Sequence, residues 1–259
     1  MTDTETSTIT IPEHLHGYTG VAFGGYVAGV LAARAAAKDV RVDFRRPVPT
    51  GQPVRIAATP DGGCALTDGE HLLAAAVPVP APDAAPTPTA SVPHPPAGGG
   101  VPEPPSWAEA VAAAEAYRAA PPDGQSDCFG CGLDRTPATG LRQHCGAVPG
   151  RELVATAWIP GHELGSVDGL LPSELLWGAL DCPGNAVGRL LDGRPAGAVT
   201  AALSARLLRP VRTGERLISY SWMLSSAERK YGAGTAVATA EGELCATAEA
   251  LWVVPRPAG

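Results

Sequence analysis

The sequence is poor in aromatic and charged residues and has no excess of positive charge. Aromatic residues make up 5% and charged residues 17% of the 259 positions, and the formal net charge is −7. Nucleic-acid binding needs a basic surface, and base stacking needs aromatic platforms, so we expect no nucleic-acid partner. No run approaches the ~18 apolar residues typical of a transmembrane helix, so we expect no membrane span.

Two further features bear on location and metal binding. The N-terminal segment 1–10 is polar and acidic and does not resemble a secretory signal, so we expect a cytoplasmic protein. In that setting the six cysteines are expected to be thiols or metal ligands rather than disulfides. Cys128 and Cys131 form a CxxC pair, followed by His144 and Cys145. An adjacent His-Cys pair is unusual for chelation, so we predict no metal and leave open whether Cys128 and Cys131 bind one.

Proline and glycine, by contrast, are abundant. The chain has 31 glycines and 27 prolines, and eleven of the prolines lie between Pro78 and Pro105. A segment of this composition favours neither a helix nor a sheet, which predicts an extended linker. We therefore divide the chain into an N-terminal unit (1–80), a linker (81–105) and a C-terminal unit (106–259). The last begins with a predicted helix over 106–120, with Ser106 and Glu109 as a capping box.

The two units look like copies of one another. RPVPTG at 46–51 matches RPVRTG at 209–214, TITIPEH at 8–14 resembles TAWIPGH at 156–162, and both units have a Gly-Glu pair before their last apolar segment. Each unit has an alternating segment, then an apolar helix (24–37 or 172–191), then more alternating segments. This order predicts an α+β fold in which a buried helix packs on an antiparallel sheet. The predicted strands cover 7–11, 40–47, 53–59, 72–79, 153–159, 198–209, 216–225, 234–240 and 244–254.

These motifs resemble those of the hotdog-fold acyl-CoA thioesterase superfamily, in particular bacterial PaaI-like thioesterases. The resemblance rests on Phe23-Gly24-Gly25 at a helix start, Leu180-Asp181 within a helix, the Arg-Pro-Val-x-x-Gly segments and CFGCGLDRTPATGL at 128–141. It implies a curved antiparallel sheet wrapped round a central helix in each unit, and thus a double hotdog formed by duplication. It also implies an acyl-CoA or other acyl thioester substrate, with coenzyme A present only as part of that substrate and no separate cofactor. A homodimer of double hotdogs is one assembly that it allows.

The two units divide the residues of the resembled active site between them. The first unit has the glycines but Ala32 where the family carries an acid, whereas the second has Asp181 but Pro172-Ser173-Glu174 in place of the glycines. Related enzymes combine an amide donor and a carboxylate from different protomers. The resemblance therefore implies one composite site, with Gly24 and Gly25 as N–H donors and Asp181 as the acid. The second, equivalent position would be inactive.

The remaining candidate residues surround this site or carry positive charge. Asp181 lies in an apolar helix, so burial should raise its pKa. We predict that substrate contacts involve Phe23, Glu174, Asn185, Arg46 and Arg209, the arginines pairing with coenzyme A phosphates.

Each of these residues also has a structural interpretation. The glycines fit a tight helix entry, Glu174 could complement a helix dipole, and the arginines could be solvated edge charges. Asp181 could cap the turn at 182–185, because Pro183 should kink or break the helix just after Asp181.

The predicted function is hydrolysis of an acyl thioester. In one mechanism Asp181 activates water, and in another water attacks an anhydride formed on Asp181. Two alternatives remain open: a non-catalytic protein that binds acyl-CoA or acyl chains, and a hotdog hydratase that would use His14 or His16.

Overall fold

The computed structural model describes residues 6–37, 39–79, 100–124 and 126–256. Their regular structure is a large antiparallel sheet with a few helices. The strands are β1 (Thr6–Thr10), β2 (His16–Tyr18), β3 (Val21–Ala22), β4 (Val40–Phe44), β5 (Pro53–Ala58), β6 (Cys64–Asp68), β7 (His71–Pro78), β8 (Gly146–Ala147), β9 (Val154–Trp158), β10 (Val199–Leu207), β11 (Leu217–Ser226), β12 (Lys230–Thr239) and β13 (Leu244–Val253). The helices are α1 (Gly24–Ala32), α2 (Trp107–Ala119), α3 (Ser173–Ala179) and α4 (Cys182–Leu191).

Eleven strands form one antiparallel sheet with a repeated internal order. The order is β1-β5-β6-β7-β4 followed by β10-β13-β12-β11-β9-β8, and we call these two runs the N-terminal and C-terminal half-sheets. The two half-sheets have matching strand orders when each is followed from its outer end to the junction of β4 with β10. In that direction the N-terminal half-sheet runs β1, β5, β6, β7, β4, and the C-terminal half-sheet runs β9, β11, β12, β13, β10, with β8 as an additional outer strand. The half-sheets join where β4 pairs with β10, in the register Val42↔Leu203. The repeated sequence motifs thus lie at equivalent places.

Helices α1 and α3 pack against each other in opposite directions, with very little space between them. A Cβ built on Gly25 would lie 2.7 Å from the Cα of Gly178, and one built on Gly29 would lie 2.5 Å from the Cα of Glu174. Only glycine permits this approach, because any side chain would collide with the backbone of the partner helix. As its composition predicts, α1 is largely buried, through Val27, Ala28, Val30 and Leu31 among others.

The structure changes the predicted helix boundaries. Helix α1 ends at Ala32 rather than near residue 37, because the following residues form tight turns and the Ala36 N–H donates to the carbonyl of Gly62. The single helix predicted over 172–191 is two helices, α3 and α4, separated at Leu180 and Asp181. Pro183 lies in the first turn of α4, where its missing N–H costs no hydrogen bond.

Most of the predicted strands are present, with ends shifted by a few residues. Strand β6 was not predicted, although its buried Cys64 and Leu66 alternate with less buried neighbours. It supplies the counterpart of β12 in the N-terminal half-sheet. The predicted helix after the linker is α2, and its capping box is confirmed by reciprocal hydrogen bonds between Ser106 and Glu109. The central part of the predicted linker, residues 80–99, lies outside the described residues.

The buried apolar cluster at the centre contains residues of both half-sheets and of α1 and α3. Helix α2 covers β8 and β9, with a second apolar cluster beneath it. Among the described residues, no helix combines the length and apolar character needed to cross a membrane.

Candidate active site

Asp181 lies at the break between α3 and α4, with its carboxylate facing the first turn of α1. Only 3% of its surface is exposed. The break follows from the local sequence, since Pro183 fits the start of a helix but not its interior. The sequence predicted that Pro183 would kink or break the helix just after Asp181, and the break lies at Leu180 and Asp181.

Both oxygens of the Asp181 carboxylate accept hydrogen bonds. The backbone N–H of Gly25, in the first turn of α1, donates to Oδ2 at 2.8 Å. The hydroxyl of Thr200, in the second position of β10, donates to Oδ1 at 2.7 Å. One donor therefore comes from the helix that packs on the N-terminal half-sheet and the other from the C-terminal half-sheet. The predicted approach of Gly25 and Asp181 is present in the structure.

The surroundings of Asp181 change its acidity in opposing ways. Burial raises its pKa, the hydrogen bonds from Thr200 and Gly25 lower it, and the neighbouring Cys128 sulfur raises it, with a resulting value of about 6. A group with that pKa is ionised in a ratio of about 10:1 at pH 7. Asp181 is thus a buried carboxylate that can accept a proton near neutral pH.

A cavity of about 590 Å³ opens beside Asp181. Its volume lies in the range usual for small-molecule sites, and its walls are mainly apolar. Both half-sheets contribute to it. The wall residues nearest the carboxylate are Phe23, Gly24, Cys182, Asn185 and Thr200. Two exposed arginines, Arg45 and Arg46, follow β4 and also line it.

The N-terminus of α1 offers an unused hydrogen-bond donor in this cavity. Within the described residues the Gly24 N–H donates to no acceptor, and Phe23 provides no side-chain cap. A Cβ built on Gly24 would lie 3.3 Å from Oδ2 of Asp181 and 3.5 Å from the Thr200 hydroxyl. Glycine therefore keeps the space beside the carboxylate open, at the positive end of the helix dipole.

Asn185 lies one helical turn beyond Asp181 and is held by two hydrogen bonds. Its Nδ2 donates to the carbonyl of Ala198 at 3.2 Å, and its Oδ1 accepts from Nε of Arg189 at 3.1 Å. Arg189 lines the cavity as well. Asn185 thus connects α4 to the start of β10 and orients a cationic side chain.

Two of the predicted substrate-binding residues lie away from this cavity. Glu174 lies near Gly29 in the contact between α1 and α3. The pKa of the neighbouring Tyr26 is raised, chiefly by burial of Tyr26 and next by the negative charge of Glu174. Arg209 forms ion pairs with Glu215 and Glu243 beside a separate surface depression. Neither side chain lines the cavity that contains Asp181.

Thr200 and Arg189 belong to the site but were not predicted. Thr200 is 19 positions from Asp181 and sits in an alternating strand with no local motif. Only the pairing of the strand with its neighbours shows that its hydroxyl faces the carboxylate.

His16, a candidate for hydratase chemistry, is paired with a carboxylate in the structure. Its Nε2 lies 3.1 Å from Oδ2 of Asp127, and Arg135 binds the same carboxylate at 2.9 Å. Neither His16 nor Asp127 is among the residues that line the cavity.

Comparison with known proteins gives similarity in structure but not in sequence. No protein-family model matches the chain, and no curated protein matches it significantly. Among solved structures, the tesB protein of Mycobacterium avium subs paratuberculosis is 17% identical with a TM-score of 0.59, over 98% of this chain and 96% of that one.

Two other solved structures agree. A conserved protein of unknown function with a hot dog fold from Alicyclobacillus acidocaldarius is 14% identical with a TM-score of 0.59, over 100% of this chain and 96% of the other. Acyl-CoA thioesterase II TesB2 from Mycobacterium marinum is 14% identical with a TM-score of 0.55, over 98% and 94%. The fold of this chain is therefore the hotdog fold, which it shares with solved thioesterases.

Proposed function

We propose that the chain is a double hotdog that hydrolyses an acyl thioester in the cavity between its two units. The observation that supports this most is the Asp181 carboxylate, held by the Gly25 N–H of the other unit and lining an apolar cavity. The repeated strand order of the half-sheets supports the double hotdog. The thioesterases among the solved structures of this fold support the reaction class.

In the proposed reaction Asp181 acts as a general base. Water beside the carboxylate loses a proton to it and attacks the thioester carbonyl, and the proton then passes to the departing thiolate. The Gly24 N–H and the positive end of α1 stabilise the negative charge that develops on the carbonyl oxygen. Anchoring of both carboxylate oxygens by Gly25 and Thr200 favours this route over an anhydride on Asp181, because it hinders the approach of either oxygen to the carbonyl carbon.

Substrate placement follows from the chemistry of the cavity. The apolar walls suit an acyl chain, while Arg45 and Arg46 are placed to pair with the phosphates of coenzyme A. The side chains of Glu174 and Arg209 have no part in this arrangement. The composite site lies where the start of α1 meets Asp181. The equivalent place near Ala32, where the start of α3 meets the end of α1, has no acid and is predicted to be inactive.

The test is turnover over a panel of acyl-CoA substrates of different chain length, with release of free thiol as the signal. Asp181→Asn should lower turnover by about 10²–10⁴-fold. Glu174→Gln is the matched control, since it removes a carboxylate from the same helix pair outside the cavity. Full activity in Asp181→Asn, or equal losses in both variants, would contradict the proposal.

A non-catalytic acyl-CoA or acyl-chain binding protein is the second candidate. The observation in its favour is that the Gly25 N–H is already occupied by Asp181 rather than free to bind a carbonyl oxygen. Calorimetric binding of the same acyl-CoA panel separates the two functions. Tight binding with no thiol release by the wild-type protein would favour the binding function.

A further inference from the structure

Three cysteine thiols meet in the wall of the cavity, next to Asp181. The sulfur atoms of Cys128, Cys131 and Cys182 all lie within 4.8 Å of one another, and all three residues are buried. Cys128 and Cys131 belong to the loop before β8, whereas Cys182 is the first residue of α4. No local pattern in the sequence links Cys182 with the CxxC pair, which lies about fifty positions away along the chain.

The loop carrying Cys128 and Cys131 is closed by backbone hydrogen bonds. The Gly132 N–H donates to the Cys128 carbonyl at 2.8 Å, and the Gln143 N–H donates to the Gly130 carbonyl at 2.8 Å. This turn brings the two sulfurs of the CxxC pair within 4.8 Å of each other.

The glycines of this loop let Cys182 approach. A Cβ built on Gly130 would lie 2.4 Å from the Cys182 sulfur and 2.6 Å from the ring of Phe23. One built on Gly132 would lie 2.7 Å from both the nitrogen and the carbonyl oxygen of Cys128. Gly130 therefore leaves room for the Cys182 sulfur, and Gly132 leaves room for the backbone of Cys128.

An independent observation comes from Gln143, which lines the same cavity. It is 1% exposed, and neither its Oε1 nor its Nε2 has a hydrogen-bond partner within the described part of the chain. A buried carboxamide without partners is costly, and such groups commonly mark a place where a ligand or bound water belongs. Gln143 and the three cysteines thus line the same cavity, and the backbone of Gln143 is hydrogen-bonded to the loop that carries Cys128 and Cys131.

We propose that Cys128, Cys131 and Cys182 bind one zinc-like divalent cation, with the fourth coordination position open to the cavity. A tetrahedral ion with Zn–S bonds of about 2.3 Å needs sulfurs about 3.8 Å apart, which a small contraction of this cluster provides. The fourth position suits water or another small ligand hydrogen-bonded to Gln143. Three protein ligands and one open position form the pattern of zinc sites that exchange their fourth ligand.

Proton and charge balance agree with this assignment. The cation takes the place of the thiol protons, so that Zn²⁺ and three thiols give a tris-thiolate complex of net charge −1 and three released protons. The ion would fasten the loop of Cys128 to the start of α4 beside Asp181, whether or not the proposed hydrolysis takes place.

The first test uses the full-length, reduced and metal-free protein titrated with Co²⁺, which reports thiolate ligation through sulfur-to-metal charge-transfer absorption. We expect saturation at a single equivalent, displacement by Zn²⁺, and release of protons as the thiols bind the ion. Cys182→Ser should weaken Co²⁺ binding by more than about 100-fold. The controls Cys64→Ser and Cys245→Ser alter buried cysteines outside the cluster and should leave it unchanged.

The second test needs no variant and covers the case in which a substitution prevents folding. X-ray absorption of the zinc-loaded wild-type protein should show three sulfur ligands at about 2.3 Å and one lighter ligand. Absence of a thiolate band with Co²⁺, fewer than two sulfur ligands, or a Cys128–Cys131 disulfide in the protein isolated under reducing conditions would each overturn the proposal.

Discussion

Asp181 combines two properties that are in conflict in a stable protein. It is buried, and with a pKa of about 6 it is ionised at neutral pH, so the folded protein carries a charge that water would solvate better. A carboxylate whose pKa is raised on folding stabilises the fold only at low pH, and that contribution is lost as the pH rises through 6. Such a cost is typical of a residue retained for function rather than for stability.

We therefore expect Asp181→Asn to separate activity from stability. The amide oxygen can still accept from the Gly25 N–H, and the Thr200 hydroxyl can rotate to accept from the amide NH₂. Thioester hydrolysis should fall by about 10²–10⁴-fold, the usual contribution of a general base. The melting temperature at pH 7 should be equal to or above that of the wild type. Calorimetry with parallel kinetics measures both, and a large loss of stability would indicate a structural role instead.

Thr200 gives a second prediction for a single residue, because within the described part of the chain its hydroxyl is the side-chain donor to Asp181. Thr200→Val keeps the shape but removes the donor, whereas Thr200→Ser keeps the donor. This hydrogen bond lowers the pKa of Asp181, so Thr200→Val should raise that pKa, reduce the fraction of ionised base at pH 7 and lower kcat at this pH by about 2- to 10-fold. Thr200→Ser should stay close to the wild type. Similar losses in both variants would point to packing rather than hydrogen bonding.

At the scale of elements, the contact between α1 and α3 depends on glycines with two different tasks. Gly25 and Gly29 face the backbone of α3, so they set the distance between the helices. Gly24 instead faces the Asp181 carboxylate and the cavity. Within about two helical turns, the segment FGGYVAGV thus provides both the close contact with α3 and the open space beside the Asp181 carboxylate.

Substitution of these glycines by alanine should show the difference. Gly29→Ala must push α1 from α3, and overpacking of this kind costs about 1–3 kcal/mol, partly offset by the better helix propensity of alanine. Gly24→Ala has contacts of 3.3 Å and longer, so its unfolding free energy should change little while hydrolysis falls. Urea unfolding and turnover of both variants test this contrast. Gly29→Ala as stable as the wild type would contradict the close packing.

At the scale of the whole molecule, the two half-sheets share one sheet, one core and one cavity. The pairing of β4 with β10, the α1–α3 contact and the Gly25–Asp181 hydrogen bond all cross the boundary between the units. Separation of the units would expose the apolar faces of both central helices to water. Each unit is therefore expected to depend on the other for its stability.

We predict that both units unfold in a single transition. All five tryptophans lie in the C-terminal unit, so their fluorescence follows that unit alone. Hydrogen exchange of peptides from β5, β6 and β7 follows the N-terminal half-sheet. The denaturant midpoints from the two probes should coincide, and a lower midpoint for the N-terminal peptides would show that the units are independent.

The sequence by itself determined the elements and the repeat. Alternation of apolar residues indicated most of the strands, the capping box at Ser106 located α2, and the matched Arg-Pro-Val motifs indicated a repeat whose strand order recurs in the two half-sheets. The resemblance to hotdog thioesterases, together with the glycines at a helix start and the acid in an apolar helix, also singled out Gly24, Gly25 and Asp181. These features depend on residues close together in the chain, where periodicity and turn chemistry act.

Only the tertiary structure decided which distant residues meet. Gly25 and Asp181 are 156 positions apart, and neither the Thr200 donor nor the approach of Cys182 to the CxxC loop has a local signature. The end of α1 at Ala32 likewise depends on a hydrogen bond to Gly62, and the displacement of Glu174 and Arg209 from the cavity depends on the packing of whole helices and strands. Such contacts are fixed by the register of the sheet and the distance between helices, which arise from the packing of the whole chain.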